Sequence, residues 1–139
     1  MRVLVDTNVI LDVLLDRKPF SHEASHVLAL VEASEIEGFL CATTVTTIDY
    51  LLSKALPTKK SREILHKLLS IFEIAPVNRP VLEQALLSKI SDFEDAVLEQ
   101  AAMLVHADVI TTRNVRDFKN SKISVFDPSE LLSVITSRE

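Results

Sequence analysis

The sequence predicts a single α/β domain in which a mostly parallel sheet of about five strands carries helices on both faces. Short apolar runs of strand length alternate along the chain with longer segments whose apolar residues recur at helical spacing. The chain has 139 residues, the size of one domain, and no repeat or linker-like stretch divides it. Strands that alternate with helices pair in parallel, and a parallel sheet needs a helical layer on each face. We therefore expect three layers, helix, sheet and helix, formed by residues 1–139.

The first strand and the first two helices are marked by apolar spacing and by the residues that interrupt it. Residues 2–5 (RVLV) form a buried apolar run that ends at Asp6. Leucines at helical spacing follow, and Pro19 ends this short helix. Ser21 is a suitable N-cap for a second helix, whose apolar residues share one face.

The middle of the chain continues the alternation. Gly38 interrupts the helical pattern, and residues 39–42 form the second predicted strand. Residues 43–54 keep a helical period in spite of four threonines, and residues 61–69 form another amphipathic helix. Residues 72–77 form the third predicted strand.

The last third of the chain holds the longest predicted helix. Pro80 suits the first turn of a helix that runs to about residue 89. Either Ser91 or Asp92 caps a long apolar helix that ends near Val105. The remaining predicted elements are strands at residues 108–112 and 123–126 and a final helix after Pro128.

The composition excludes several classes of protein. With one glycine, Gly38, the chain can form neither a Walker loop nor a GxGxxG turn, and the single Cys41 cannot form an internal disulfide. The net charge of −5 argues against binding nucleic acid by net charge alone. It leaves open an enzyme whose acids bind cations that then contact phosphate. An early acid argues against a signal peptide, and no apolar run reaches the ~20 residues of a membrane span. We therefore expect a cytoplasmic protein.

Acidic and amide side chains follow the first and fourth predicted strands. Asp6 ends the first strand, and Asn114 and Asp117 follow the fourth. Each has an ordinary explanation, because Asp is a common helix cap and Asn and Asp favour turns. In a parallel sheet, however, ligands bind outside the carboxyl ends of the strands. These groups should therefore meet at one edge, where oxygen ligands could hold a hard cation.

Further acids lie on two predicted helices. Asp92 and Asp95 are three residues apart and share a face, although first-turn acids also suit the helix dipole. Glu99, one turn further on, is a weaker candidate because it also fits a solvated surface. Asp49 lies among apolar residues, where an unpaired buried acid is costly. It therefore either faces water or has a cationic partner, of which a metal ion would be one.

Two segments together resemble the PIN domain family, the metal-dependent nuclease fold of VapC-type toxins. They are VLVDTNVILD near the N-terminus and EDAVLEQAAMLVHADVITTRNVRDF near the C-terminus, and the likeness covers essentially the whole chain. The resemblance implies a PIN-like three-layer fold. It also implies that Asp6, Asp95 and Asp117 are metal-site acids. Polar support of the same site would come from Asn8, Thr112 and Asn114.

The second motif departs from the family pattern. The family usually carries a Glu near the start of the helix after the second strand, whereas this chain has Asp49 in the segment TTVTTIDYLL. Asp is one methylene shorter than Glu. Either Asp49 reaches the metal through water, as a fourth catalytic acid, or Asp92 supplies the missing charge.

The chemistry implied is hydrolysis of a phosphodiester bond. Hard oxygen ligands favour Mg²⁺ or Mn²⁺. Arg113, Arg116 and Lys119 flank the last motif and are suited to contact phosphates. The resemblance implies an endoribonuclease, an RNA substrate, an antitoxin partner and a homodimer. The alternative is a PIN-like module that binds nucleic acid with weak or no cleavage. A receiver-like domain would need an acid after the third strand, where residues 75–78 carry none.

Overall fold

The computed structural model describes residues 1–138 and shows a five-stranded, entirely parallel sheet between two layers of helices. The strands are β1 Arg2–Val5, β2 Glu37–Cys41, β3 Glu73–Ala75, β4 Val109–Thr111 and β5 Ser124–Phe126. The helices are α1 Thr7–Leu14, α2 Ser21–Glu32, α3 Ala42–Leu52, α4 Thr58–Ile71, α5 Arg79–Leu86, α6 Phe93–Leu104 and α7 Pro128–Ser137. The predicted α/β fold class is therefore confirmed.

The strand order is β3-β2-β1-β4-β5, which puts β1 at the centre of the sheet. Leu4 of β1 pairs with Phe39 of β2 on one side and with Ile110 of β4 on the other. Because the chain leaves β1 and β4 at the same edge, the residues that follow these strands lie side by side. This topology brings the first and last sequence motifs together.

The core has one half on each face of the sheet. Alternate residues of a strand point to opposite faces, and in β1 Val3 and Val5 join one buried cluster while Leu4 joins the other. The first cluster is covered by α1, α2, α3, α4 and α7, and the second by α5 and α6. Among residues 1–138, no helix is long and apolar enough to cross a membrane.

Two local predictions were wrong. Ser21 is the first residue of α2, not its N-cap; the cap is Phe20, and Ser21 Oγ instead donates a hydrogen bond to Asp16 (2.8 Å). Gly38 does not interrupt the structure but lies buried within β2. A Cβ atom on Gly38 would lie 2.7 Å from a methyl carbon of Val31 and 2.8 Å from the ring of Phe72. This glycine is required because α2 and Phe72 approach the strand closely.

Candidate metal centre

Asp6 stands at the point where β1 ends and α1 begins. Its backbone is extended, and its Oδ1 accepts a hydrogen bond from the backbone N–H of Thr7 (2.7 Å), so Asp6 is the N-cap of α1. Its Oδ2 accepts a hydrogen bond from Thr112 Oγ1 (2.8 Å) in the loop after β4. The side chain is almost fully buried. Asp6 therefore caps a helix and also projects a fixed carboxylate at the edge of the sheet.

Thr112 organises the polar side chains around Asp6. A hydroxyl can donate one hydrogen bond and accept two, and Thr112 Oγ1 uses all three. It donates to Asp6 and accepts from Asn8 Nδ2 (3.2 Å) and from the backbone N–H of Asn114 (3.1 Å). The Oδ1 atom of Asn8 accepts a hydrogen bond from the backbone N–H of Arg113 (3.1 Å). Asn8 and Thr112 are thus brought into one network with Asp6.

A second group of acids lies at the start of α6. Asp92 is the N-cap of this helix, and its Oδ1 accepts a hydrogen bond from the backbone N–H of Asp95 (3.0 Å). Asp92 is exposed, whereas Asp95 is partly buried. The helix start therefore presents the Asp95 side chain to the site and uses Asp92 as its cap.

The charges of these acids act on one another. Burial raises the pKa of Asp95 to about 7, helped by the negative charges of Asp6, Asp92, Asp117 and Glu94, in that order. Burial also raises the pKa of Asp6, although its hydrogen bonds from Thr112 and Thr7 oppose that rise. Carboxylates from three separate segments are therefore close enough to repel.

This donor set fits a hard divalent cation in type and charge. Every candidate ligand is a carboxylate, hydroxyl or amide oxygen, which suits Mg²⁺ or Mn²⁺ better than Zn²⁺. A bound cation would relieve the repulsion that raises the pKa of Asp95. Within residues 1–138, however, no three His, Cys, Asp or Glu side chains are gathered into a cluster that could hold an ion as they stand.

Asp117 and Asp49 are placed differently. Asp117 lies exposed in a short 3-10 helix, Val115–Phe118, anchored by the buried ring of Phe118, and its charge acts on Asp95. Asp49 is partly buried on α3. The main charges that raise the pKa values of Asp6 and Asp95 come from Asp6, Asp117 and the acids at the start of α6, and Asp49 is not among them. The role of Asp49 as a fourth acid stays a prediction.

The three basic residues after β4 have unlike environments. Arg116 and Lys119 are exposed. The guanidinium of Arg113 instead donates from Nε to Asp12 (2.8 Å) and lies 4.2 Å from the centre of the Phe20 ring. Arg113 therefore has partners within the protein, whereas Arg116 and Lys119 extend towards solvent.

One structurally important acid, Asp12, escaped the sequence analysis. Asp12 is only 1% exposed and pairs with Arg113 and, at 3.5 Å, with Arg17. Asp12 lies four residues after Asn8 on α1, so the two share a helix face, and this spacing could have marked Asp12 as a candidate. Of the two interpretations of Glu99, a weaker site candidate or a solvated residue, the solvated one was wrong, because Glu99 is 2% exposed and accepts a hydrogen bond from the backbone N–H of Lys122 (2.8 Å). Glu99 holds the loop before β5.

The raised pKa of Asp95 predicts how stability changes with pH. Between the ordinary value of 3.8 and about 7 the folded state binds more protons than the unfolded state, so the free energy of unfolding should fall as pH rises through this range. Thermal unfolding at pH 5 and pH 8 in chelator measures the fall. We expect Asp95→Asn to reduce it and Mn²⁺ to reverse it at pH 8. An equal fall in Asp95→Asn and the parent would contradict this account.

Comparisons with known proteins agree with the fold and motifs. Residues 2–116 match the family model described as PIN domain. Over 85 residues the chain is 27% identical to Ribonuclease VapC1 of Aquifex aeolicus, a match that covers 61% of this chain and only 58% of that relative. FitAcB from Neisseria gonorrhoeae superposes with a TM-score of 0.70 at 23% identity, covering 91% of this chain and 98% of that one.

A toxin–antitoxin complex from Klebsiella pneumoniae contains a similar chain, with a TM-score of 0.69 at 24% identity, covering 91% of this chain and 97% of that one. At these identities the structural matches show the fold alone. The family model covers most of the chain. It includes the whole of the first segment that resembles the family, and the second segment as far as Arg116. This chain belongs to the PIN domain family.

Proposed function

We propose that the chain is a divalent-metal-dependent endoribonuclease and the toxin of a toxin–antitoxin pair. The observation that carries the proposal is that Asp6, at the carboxyl end of β1, and Asp95, 89 residues later at the start of α6, lie close enough for the charge of Asp6 to raise the pKa of Asp95. Repelling carboxylates at a sheet edge are suited to a cation and, through it, to phosphate. The matched relative, a ribonuclease by name, supports RNA as the substrate.

The residues of the chain divide the work of hydrolysis. Asp6, Asp95 and Asp117 would hold Mg²⁺ or Mn²⁺, with Asp92 and Asp49 as alternatives for a fourth acid. When bound, the ion would neutralise charge on the phosphate and lower the pKa of a water molecule. Thr112 keeps the Asp6 carboxylate in a single orientation through its 2.8 Å hydrogen bond.

The neighbouring polar residues have two further roles, to hold Thr112 in place and to attract the substrate. Asn8 and Asn114 hold Thr112 in place, through the Asn8 side chain and the Asn114 backbone. The exposed Arg116 and Lys119 would attract the phosphates of the RNA.

The same proposal includes an antitoxin, a homodimer and a place in the cytoplasm. The solved complex from Klebsiella pneumoniae supports an antitoxin, which we expect to neutralise the acidic site with a basic side chain. Leu86 and Leu87, at the end of α5, are 72% and 78% exposed and offer an apolar face for a second copy of the chain.

A cleavage assay tests the proposal. The chain is incubated with mixed RNA, and separately with single-stranded DNA of matching sequence, in Mg²⁺, Mn²⁺, Ca²⁺ or chelator. We expect internal cuts in RNA with Mg²⁺ or Mn²⁺, none in chelator, and recovery when metal is restored. Cleavage that persists in chelator would contradict the metal-dependent mechanism, and a preference for DNA would contradict the substrate.

A nucleic-acid-binding module without efficient cleavage is the second candidate. It is favoured by the lack, within residues 1–138, of a ready cluster of three ligands, and because Asp49 is not among the main charges that raise the pKa of Asp95. Calorimetry with Mn²⁺ separates the two candidates. An enzyme must bind the ion, and Asp95→Asn must weaken that binding, whereas a scaffold need not bind it.

A further inference from the structure

A cavity of about 300 Å³ lies beside the candidate metal centre. It opens between the segment before α2, the loop after β4 and the start of α7. Its wall includes the side chains of Phe20, Glu23, Arg113 and Asp127. Arg113 directly follows Thr112. The hydroxyl of Thr112 donates a hydrogen bond to Asp6, and its backbone N–H donates one to the carbonyl oxygen of Phe126 (3.1 Å). The cavity and the acids therefore share one edge of the sheet.

One wall of the cavity is flat and held in place. The Arg113 guanidinium lies 4.2 Å from the centre of the Phe20 ring, and its Nε donates to the buried Asp12 (2.8 Å). Phe20 is 42% exposed, so part of its side chain stays accessible to a ligand. Stacked arginine and aromatic groups offer a surface on which a nucleobase can stack. The volume is at the lower end for small-molecule sites and suits one base.

Two carboxylates in the lining of the cavity, those of Glu23 and Asp127, offer hydrogen-bond acceptors. Asp127 is held by a capping box at the start of α7, where its Oδ1 accepts from the backbone N–H of Glu130 (2.8 Å). Within residues 1–138, neither carboxylate oxygen of Glu23 has a hydrogen-bond or ion-pair partner. An ionised carboxylate only accepts hydrogen bonds. The cavity therefore selects a planar group with adjacent N–H donors.

Guanine is the base that meets this requirement. Its Watson–Crick edge carries an imino N–H beside an amino group, so two donors face one carboxylate. The corresponding edges of adenine and cytosine pair an amino donor with a ring acceptor that a carboxylate repels. Uracil has one N–H between two carbonyl oxygens. We propose that this cavity is a subsite for a guanine base of the RNA, stacked on Phe20 and Arg113 and paired with Glu23; the proposal rests on the proposed function.

Nucleotide binding tests the subsite without any cleavage. Guanosine, adenosine, cytidine and uridine 5′-monophosphates are titrated into the protein in chelator, and the Arg113 Nε–Hε signal is followed by NMR. The four ligands share the phosphate, so a difference among them reports the base. We expect guanosine monophosphate to bind tightest and to shift this signal. Glu23→Gln and Phe20→Leu should each weaken its binding about tenfold or more.

Glu35→Gln, an exposed acid in the loop after α2, is the matched control and should bind like the parent. Thermal unfolding confirms that each variant is folded. Equal binding of all four nucleotides, or unchanged binding by Glu23→Gln, would overturn the subsite. Tighter binding of N-acetyl-arginine amide than of guanosine monophosphate would assign the cavity to a partner's arginine instead and would also overturn it. If the protein binds guanosine monophosphate selectively but cuts no RNA, the guanine subsite is supported and the proposed nuclease function is contradicted.

Discussion

Asp6→Asn and Asp95→Asn are each expected to lower metal-dependent RNA cleavage by about a thousandfold or more. Each change keeps the shape of the side chain and removes one negative charge from the site. A metal ion supplies several kcal/mol of transition-state stabilisation, and each 1.36 kcal/mol lost is tenfold in rate. The measurement is the initial rate of cutting of a fluorescent RNA in saturating Mn²⁺, with Mn²⁺ affinity measured by calorimetry.

Glu83→Gln, an exposed acid on α5, is the matched control and should cut at the parent rate. Asp49→Asn and Asp92→Asn, assayed in parallel, identify the fourth acid, because the one that serves the metal should lose activity and the other should not. Equal rates in Asp6→Asn, Asp95→Asn and the parent would remove the carboxylate site from the mechanism and point to a contaminating nuclease.

Arg113→Leu is expected to destabilise the fold by roughly 3 kcal/mol. The change leaves Asp12, 1% exposed, with only the longer 3.5 Å pair to Arg17. A buried charge without a full partner is costly, and breaking such a pair takes a large part of the 5–15 kcal/mol that stabilises a typical domain. Urea unfolding followed by circular dichroism measures the loss.

Arg116→Leu, an exposed arginine in the same loop, is the control and should change the free energy of unfolding by less than about 0.5 kcal/mol. The double variant Asp12→Leu with Arg113→Leu should recover most of the lost stability, because it removes the buried charge together with its partner. If Arg113→Leu unfolds at the same urea concentration as the parent, the ion pair between Arg113 and Asp12 is not important for stability.

The parts of the fold that sequence predicted are those that local pattern controls. The apolar run RVLV predicted β1 correctly because a strand covered on both faces is apolar at successive positions. In the structure Val3 and Val5 are buried on one face of the sheet and Leu4 on the other. Asp6 could be placed at the end of β1 because a strand that runs straight into a helix needs a cap there. Parallel pairing then followed from the alternation of strands and helices.

The errors arose where a residue's environment depends on a distant neighbour. Gly38 looked like a break, but Val31 and Phe72 press against it in the folded chain. Glu99 looked solvated, but the backbone of Lys122 folds over it. Helical periodicity assigns a residue to a face and does not tell which other segment covers that face.

The sequence by itself determined the α/β class, the set of acids at strand ends and helix starts, and the motifs of the PIN domain family. The tertiary structure alone decided which acids share an environment. The hydrogen bond from Thr112 to Asp6 and the ion pair from Arg113 to Asp12 each join residues more than a hundred positions apart. Their strength depends on burial and on distances of a few ångströms, which arise only when β1 and β4 pair and α1 packs against the loop after β4.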